Sequence, residues 1–276
     1  MKGLILLSVL VAVVPLVLVV GDVVVNGAPA ISWNFLTQIP PPPSPCHNCK
    51  LTGGIVNGIL GSLLMVGLAA LISVPIGVGA GVYFSEWPES RLSFLSSFTN
   101  DVMAEFPTIT LGLFVYLLIV LTTHQFSALA GGLALAIVML PIVARTTEES
   151  LKIVPNSLRE ASMALGIPRW KTVLRIVIST GRAGLATGIL LAIARAAGET
   201  APLIFTAFVS DYPPTGLFGA TGSIPAIIYF KGLSDYPNWI TLAWGAALVL
   251  VAFMLILNLS VKFFISRKFA GTRAEI

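Results

Sequence analysis

The sequence predicts an all-α polytopic membrane protein with six transmembrane helices, on three observations. The chain is 56% hydrophobic and 10% charged, against about 25% charged in an average soluble domain, and its mean hydropathy is +0.94. Apolar runs long enough to cross a bilayer, about 20 residues, recur along the whole chain. Lysine and arginine crowd one central stretch and the C-terminal tail, the asymmetry expected when those segments stay cytosolic. The net charge of +4 is therefore topological, and no basic arm interleaved with aromatics points to nucleic acid. No G-x-x-x-x-G-K-[ST] loop is present to bind ATP, and neither H-E-x-x-H nor G-x-S-x-G suggests a membrane enzyme.

Residues 1–53 form an N-terminal anchor and loop. Leu4 to Val25 is the first span, carrying Pro15, Gly21 and Asp22. A cleaved signal peptide is the rival reading, with Ala28, Pro29 and Ala30 as a small-residue site, but the run exceeds the roughly 7–15-residue apolar core of such signals. Gly27 to Gly53 is proline-rich and polar; exposed irregular backbone does not lie in hydrocarbon, so it belongs on one aqueous side, read as the outside. Cys46, His47 and Cys49 are weak metal candidates because a fourth ligand is missing; a local disulfide or two plain thiols is the simpler reading.

Residues 54–265 form the core, followed by a cytosolic tail, 266–276. Gly54 to Phe84 is the second span, with Gly54, Gly58 and Gly61, then Gly77 and Gly81, at spacings that let membrane helices approach closely. Glu86 to Glu105 reads as an interfacial amphipathic segment. Phe106 to Leu121, opened by Pro107, is the third span, a turn holding His124 follows, and Ser127 to Ala144 is the fourth. Ala183 to Val209 and Trp239 to Ile265 are the fifth and sixth, separated by an outer loop, Ser210 to Asn238, with Trp239 and Trp244 suited to an interfacial belt. Arg145, Lys152, Arg159, Arg169, Lys171, Arg175 and Arg182 fill the central loop, 146–182 and its edge, and Lys262, Arg267, Lys268 and Arg273 the tail, whereas the outer loops carry Lys50 and Lys231. Both termini and the central loop are thus expected in the cytosol.

The central loop breaks the apolar pattern for long enough to build a structure in water. Pro155 bars continuation of the preceding helix, and Ser157 followed by Glu160 has the capping-box spacing, predicting a helix from Ser157. Gly166 suits the left-handed position past its end and Pro168 bars resumption. The small residues Ala161, Ser162 and Ala164, flanked by Leu158, Met163 and Leu165, make a short helix that needs a docking partner for stability.

The fifth span holds A-R-A-A-G-E-T-A-P, with Arg195 and Glu199 four residues apart, so that on one helix they share a face. A charge at bilayer depth costs roughly 2.5–3.5 kcal/mol on insertion scales, so such groups face the bundle interior and are functional candidates. A purely structural ion pair is the bland alternative, although an aliphatic pair packs more cheaply. Arg195 suits an oxyanion held by two oxygens. Glu199 can accept the O–H that phosphate retains near neutral pH, whereas sulfate has no proton to give.

E-A-S at 160–162, Gly166 four positions after Ser162, and I-V-I-S at 176–179 resemble the E-A-A-x3-G-x9-I-x-L-P signature of permease subunits of ATP-binding-cassette importers, departing at Ser162, Ile178 and Ser179. The run A-R-A-A-G-E-T-A-P-L-I-F-T-A, with P-I-G-V-G-A-G-V-Y-F-S-E-W at 75–87 and F-P-T-I-T-L-G-L-F-V-Y at 106–116, resembles the phosphate-specific branch; Glu105 stands where a small residue is expected. The resemblance implies a type I, MetI-like permease fold with no catalysis and no cofactor in this chain, ATP and Mg being held by a partner ATPase. It implies docking of Ser157, Leu158, Glu160, Ala161, Ser162, Ala164, Leu165 and Gly166 in a groove of an ATP-binding-cassette ATPase homodimer. Arg195, Glu199 and Thr200 would line the substrate path, shared with a second homologous (PstC-like) permease chain and fed by an extracytoplasmic phosphate-binding protein in a prokaryotic cell membrane. An importer of sulfate or molybdate, or an ion-coupled secondary transporter relaying protons through Arg195 and Glu199, are the alternatives.

Overall fold

In lipid a segment must satisfy its own backbone hydrogen bonds, which a helix does internally. The computed structural model describes residues 2–45 and 52–270; Cys46, His47, Cys49, Lys50 and Arg273 lie outside the described residues. The helices are α1 (Lys2–Gly27), α2 (Trp33–Thr37), α3 (Val56–Glu86), α4 (Arg91–Glu105), α5 (Thr108–Val115), α6 (Leu121–Thr123), α7 (Ala128–Lys152), α8 (Asn156–Ala164), α9 (Arg169–Thr172), α10 (Ile178–Ala197), α11 (Ala201–Thr206), α12 (Ile224–Gly232) and α13 (Pro237–Ala270). Single π-helical turns, Tyr116–Val120 and Val173–Val177, join α5 to α6 and α9 to α10. Five of the resulting segments are long and apolar enough to cross a membrane, and α4 with Thr108–Thr123, bent by 102° at their junction, makes a sixth when the bent pair is counted as one span. The protein is a multi-pass membrane protein.

Three boundaries differ from the sequence reading. The expected loop 146–182 contracts to a short connection around α8, because α7 runs on to Lys152 and helix resumes at Arg169. The polar residues there do not break α7: Arg145 pairs with Glu148 at 3.0 Å and Glu149 at 3.3 Å, and Lys152 with Glu148 at 2.6 Å, the i,i+3 and i,i+4 neighbours that support a helix. Glu86–Glu105, expected to lie at an interface, ends as α4, whose buried Ser93 and Asn100 sit against the bundle; Asn100 Nδ2 donates to the Pro141 carbonyl at 3.4 Å. The outer loop 210–238 contains α12, with Ile224, Pro225, Ala226 and Ile227 buried. Ser223 starts it, its Oγ accepting from the Ala226 N–H at 3.2 Å.

The glycines along α3 serve two different neighbours. Gly77 lies against Val143, and Gly81 against the Ala144 carbonyl and Thr147, so α3 and α7 touch backbone to backbone. Toward the other end, Gly58 meets Ile227 and Gly61 the Gly222 carbonyl, which seats α12 on α3. Ser62 Oγ accepts from the Ile224 N–H at 2.9 Å and Asn57 Nδ2 donates to the Ser210 carbonyl at 2.5 Å, fastening the same junction. Lys231, read from sequence as one of two basic residues in the outer loops, is 4% exposed, 3.1 Å from Asp211 Oδ2 and 3.5 Å over the Trp239 ring. The Trp239 indole donates to the Pro41 carbonyl at 2.9 Å. Helix α1 runs along α13 with its apolar side chains exposed, as suits a peripheral membrane helix.

Candidate functional site

The fifth span breaks where Arg195 and Glu199 sit. Pro202 has no N–H to give the Gly198 carbonyl four residues back, and its ring would collide with that carbonyl in a continuous helix. Accordingly α10 stops at Ala197, with Gly198 N–H bonded to the Arg195 carbonyl at 3.1 Å and Glu199 N–H to the Ala196 carbonyl at 3.2 Å. Helix resumes at Ala201, Thr200 accepting from the Ile204 N–H at 3.2 Å. Pro202 packs on Gly112 of α5, where a side chain would collide. The sequence reading placed both charges inside one helix; in the structure Arg195 occupies the last turn of α10 and Glu199 lies beyond its end.

The pair still meets, but loosely. Arg195 Nε stands 3.7 Å from Glu199 Oε1, too far for a hydrogen bond, and the two side chains are 57% and 15% exposed. Among the described residues the guanidinium has no other acceptor, and Thr200, which follows Glu199 in sequence, is half-buried. Depth makes this exposure informative. Ala192 and Ala196, on either side of Arg195, pack into the apolar cluster of Met65, Ala69, Leu135 and Met139, near the middle of α3. A guanidinium open at that depth is costly against lipid, so a polar surface or an aqueous path must cover it.

The second place is α8. Its cap is Pro155, in extended conformation with ψ 139°, and no side chain caps the helix. The expected capping box is therefore not formed: Asn156 and Ser157 already lie inside the first turn, and a capping side chain has to come from the non-helical residue before it. The other end agrees with the sequence. Gly166 has φ +80°, its N–H bonds the Met163 carbonyl at 2.9 Å and Ile167 N–H the Ser162 carbonyl at 3.3 Å, a complete Schellman motif. Ser157, Leu158, Glu160, Ala161, Ala164, Leu165 and Gly166 are exposed, whereas Ser162 is buried, its hydroxyl 2.8 Å from that of Thr172. Leu158, Met163 and Leu165, at 42%, 45% and 80% exposure, leave an apolar surface uncovered by any of the described residues.

Sequence reasoning missed what holds α8 to the bundle. Arg159 reaches Glu86 Oε1 at the end of α3 through Nε at 3.1 Å and Nη2 at 2.8 Å. It also donates to the Val154 carbonyl at 2.6 Å, the Leu151 carbonyl at 3.0 Å and Asn156 Oδ1 at 3.2 Å. Arg169 donates to the Glu86 backbone carbonyl and lies 5.0 Å over the Trp87 ring. Nothing in the spacing announces this pairing, because the partners are 73 residues apart.

The chain has known relatives. Residues 73–269 match the family described as binding-protein-dependent transport system inner membrane component. The chain belongs to this family. Its matched region holds α7 to α11, both places described above, and omits α1, α2 and the first half of α3. A phosphate transport system permease protein PstA of Xylella fastidiosa is 43% identical over 239 residues, 86% of this chain and 81% of the relative. The protein of that name from Haemophilus influenzae is 38% identical over 269 residues, 97% of this chain and 93% of the relative. Among solved structures, a chain of the MetNI methionine ABC transporter in an inward-facing conformation superposes with a TM-score of 0.64 at 20% identity, over 77% of this chain and 95% of that one. That likeness establishes the MetI-like fold. Members of this family are membrane components of transporters, so the chain is a permease subunit and not an enzyme.

Proposed function

We propose that this chain is the transmembrane permease subunit of an ATP-driven importer of inorganic phosphate, working by alternating access. The observation that carries the reading is the half-exposed Arg195 guanidinium at mid-span, loosely paired with Glu199 at a helix break. Its unused donors suit a tetrahedral oxyanion, and two of them can bind two oxygens at once. The relatives' names supply the cargo class. Glu199 both balances Arg195 at rest and accepts the phosphate O–H, and a fully ionised sulfate meets only a repelling acceptor there. Thr200 lies beside them as a further hydroxyl on the path. A second, PstC-like permease chain covers the open side of Arg195.

The exposed face of α8 docks on the ATPase homodimer, which holds ATP and Mg and does the hydrolysis. An extracytoplasmic phosphate-binding protein delivers the cargo to the end of the bundle formed by α12. The crowding of Lys and Arg near α8 supports the reading that this end, with both termini, faces the cytosol of a prokaryotic cell. Reconstituting the chain with the ATPase, the second permease and the binding protein tests the reading. Uptake of labelled phosphate should require ATP and survive collapse of the proton gradient; uptake that follows the gradient and ignores ATP would replace it with a proton-coupled carrier. In the same vesicles Glu199→Gln should lower phosphate uptake and narrow its advantage over sulfate, and unchanged discrimination would remove Glu199 from selection.

A further inference from the structure

On the outward side of α8 there are only exposed side chains; on its inward side there is one cation with every contact taken. Arg159 is 15% exposed and Glu86 3%, and the guanidinium joins three segments: the end of α3 through Glu86, the end of α7 through the Leu151 carbonyl, and the connection into α8 through the Val154 carbonyl. Arg169, on the far side of α8, grips the same residue by its backbone carbonyl and covers Trp87. The last turn of α3 is thus held from both flanks of α8. A buried ion pair adds little stability over an apolar contact of the same size, but two charge-assisted hydrogen bonds from one guanidinium to the single oxygen Oε1 fix where that carboxylate lies.

The other end of α3 is fastened too, by Asn57, Gly61 and Ser62 to the α12 junction. Between these ends α3 runs for 31 residues, about 45 Å of helix, and passes Ala192 and Ala196 next to Arg195. We propose that Glu86 and Arg159, with Arg169, form the clamp that couples α3 to the ATPase-docking helix, so that movement of α8 reaches the α12 junction at the far end of the bundle along α3. They are positioning residues, touching neither ATP nor cargo. The inference rests on the permease reading above.

The test uses the assembled transporter in vesicles, with phosphate uptake and ATP hydrolysis measured on the same preparation. The unmodified complex is measured first: absence of ATP-dependent phosphate uptake there would sink the permease reading and not the clamp in particular. Given that uptake, Glu86→Gln, which keeps the shape of the side chain, and Arg159→Lys, which keeps the charge but cannot reach three segments, should leave hydrolysis running. The phosphate moved per ATP should fall about tenfold, within the range over which residues of a coupling network act. Glu86→Asp, retaining the charge, should recover part of the ratio. If the ratio stays at its unmodified value in both variants, or if uptake and hydrolysis disappear together with loss of the assembled complex, the clamp does not transmit and the proposal is overturned.

Discussion

Two arginine–glutamate pairs occupy opposite situations in this molecule. Arg159 and Glu86 come from helices far apart in sequence, meet at 2.8 Å and are 15% and 3% exposed; the arginine has acceptors on three segments. Arg195 and Glu199 come from one helix and the break after it, stand 3.7 Å apart and are 57% and 15% exposed, and the arginine has no second acceptor among the described residues. A cation whose donors are all used inside the chain can only hold parts together. A cation left open at mid-span is available to something that arrives. The same two side-chain types thus make a joint in one place and a site in the other, and the difference lies in the acceptors within reach.

The largest expected effect comes from breaking the open pair. Arg195→Ala removes the guanidinium offered to the anion, and a hydrogen bond to a charged group is worth about 1.5–3 kcal/mol, so phosphate uptake by the assembled transporter should fall about a hundredfold at the upper end of that range. Full transport by Arg195→Ala would take the residue out of the path and erase the contrast. Gly81→Val should come next. Its branched side chain meets the Ala144 carbonyl and Thr147 and forces apart α3 and α7, the seam between the joint and the site. Overpacking of this kind costs about 1–3 kcal/mol, read as a lower melting temperature with uptake reduced in proportion to the folded complex. A Gly81→Val complex with unchanged melting would mean that α3 and α7 are not held by close approach.

Much of this was legible in the sequence, and for identifiable reasons. Apolar runs give spans, the positive φ of Gly166 follows from its place just past the end of α8, and Arg195 and Glu199 stand out because ionisable residues in an apolar run are rare. What the sequence hid depends on distance or on partners. Helix α12 was concealed in a stretch rich in glycine and proline, since its burial comes from Gly58 and Gly61 of α3, more than 160 residues earlier as the Ser62 to Ile224 bond is counted, 162. The continuation of α7 past Ala144 was hidden because charges read as loop when their i,i+4 partners are not considered. Arg159 was read as one basic residue among several that set orientation, since its carboxylate lies 73 residues upstream.

The smallest effect is the most pointed test of what holds α8. Ser157 and Glu160 have the spacing of a capping box, and if that box stabilised the helix, Ser157→Ala would cost about 1 kcal/mol. In the structure the cap is Pro155, no side chain caps the helix, and the attachment is the Arg159 network. Ser157→Ala should therefore change stability by less than about 0.5 kcal/mol, as for a surface residue with no special role. Gly166→Ala is the matched control on the same helix: nothing lies within reach of an added methyl group, so its cost, about 1–2 kcal/mol, is that of the left-handed backbone alone. Both are measured by melting of the purified permease chain with the ATPase absent. If Ser157→Ala costs as much as Gly166→Ala, then α8 is held by its own cap, Arg159 is a secondary contact, and the distinction between a closed joint and an open site loses its first half.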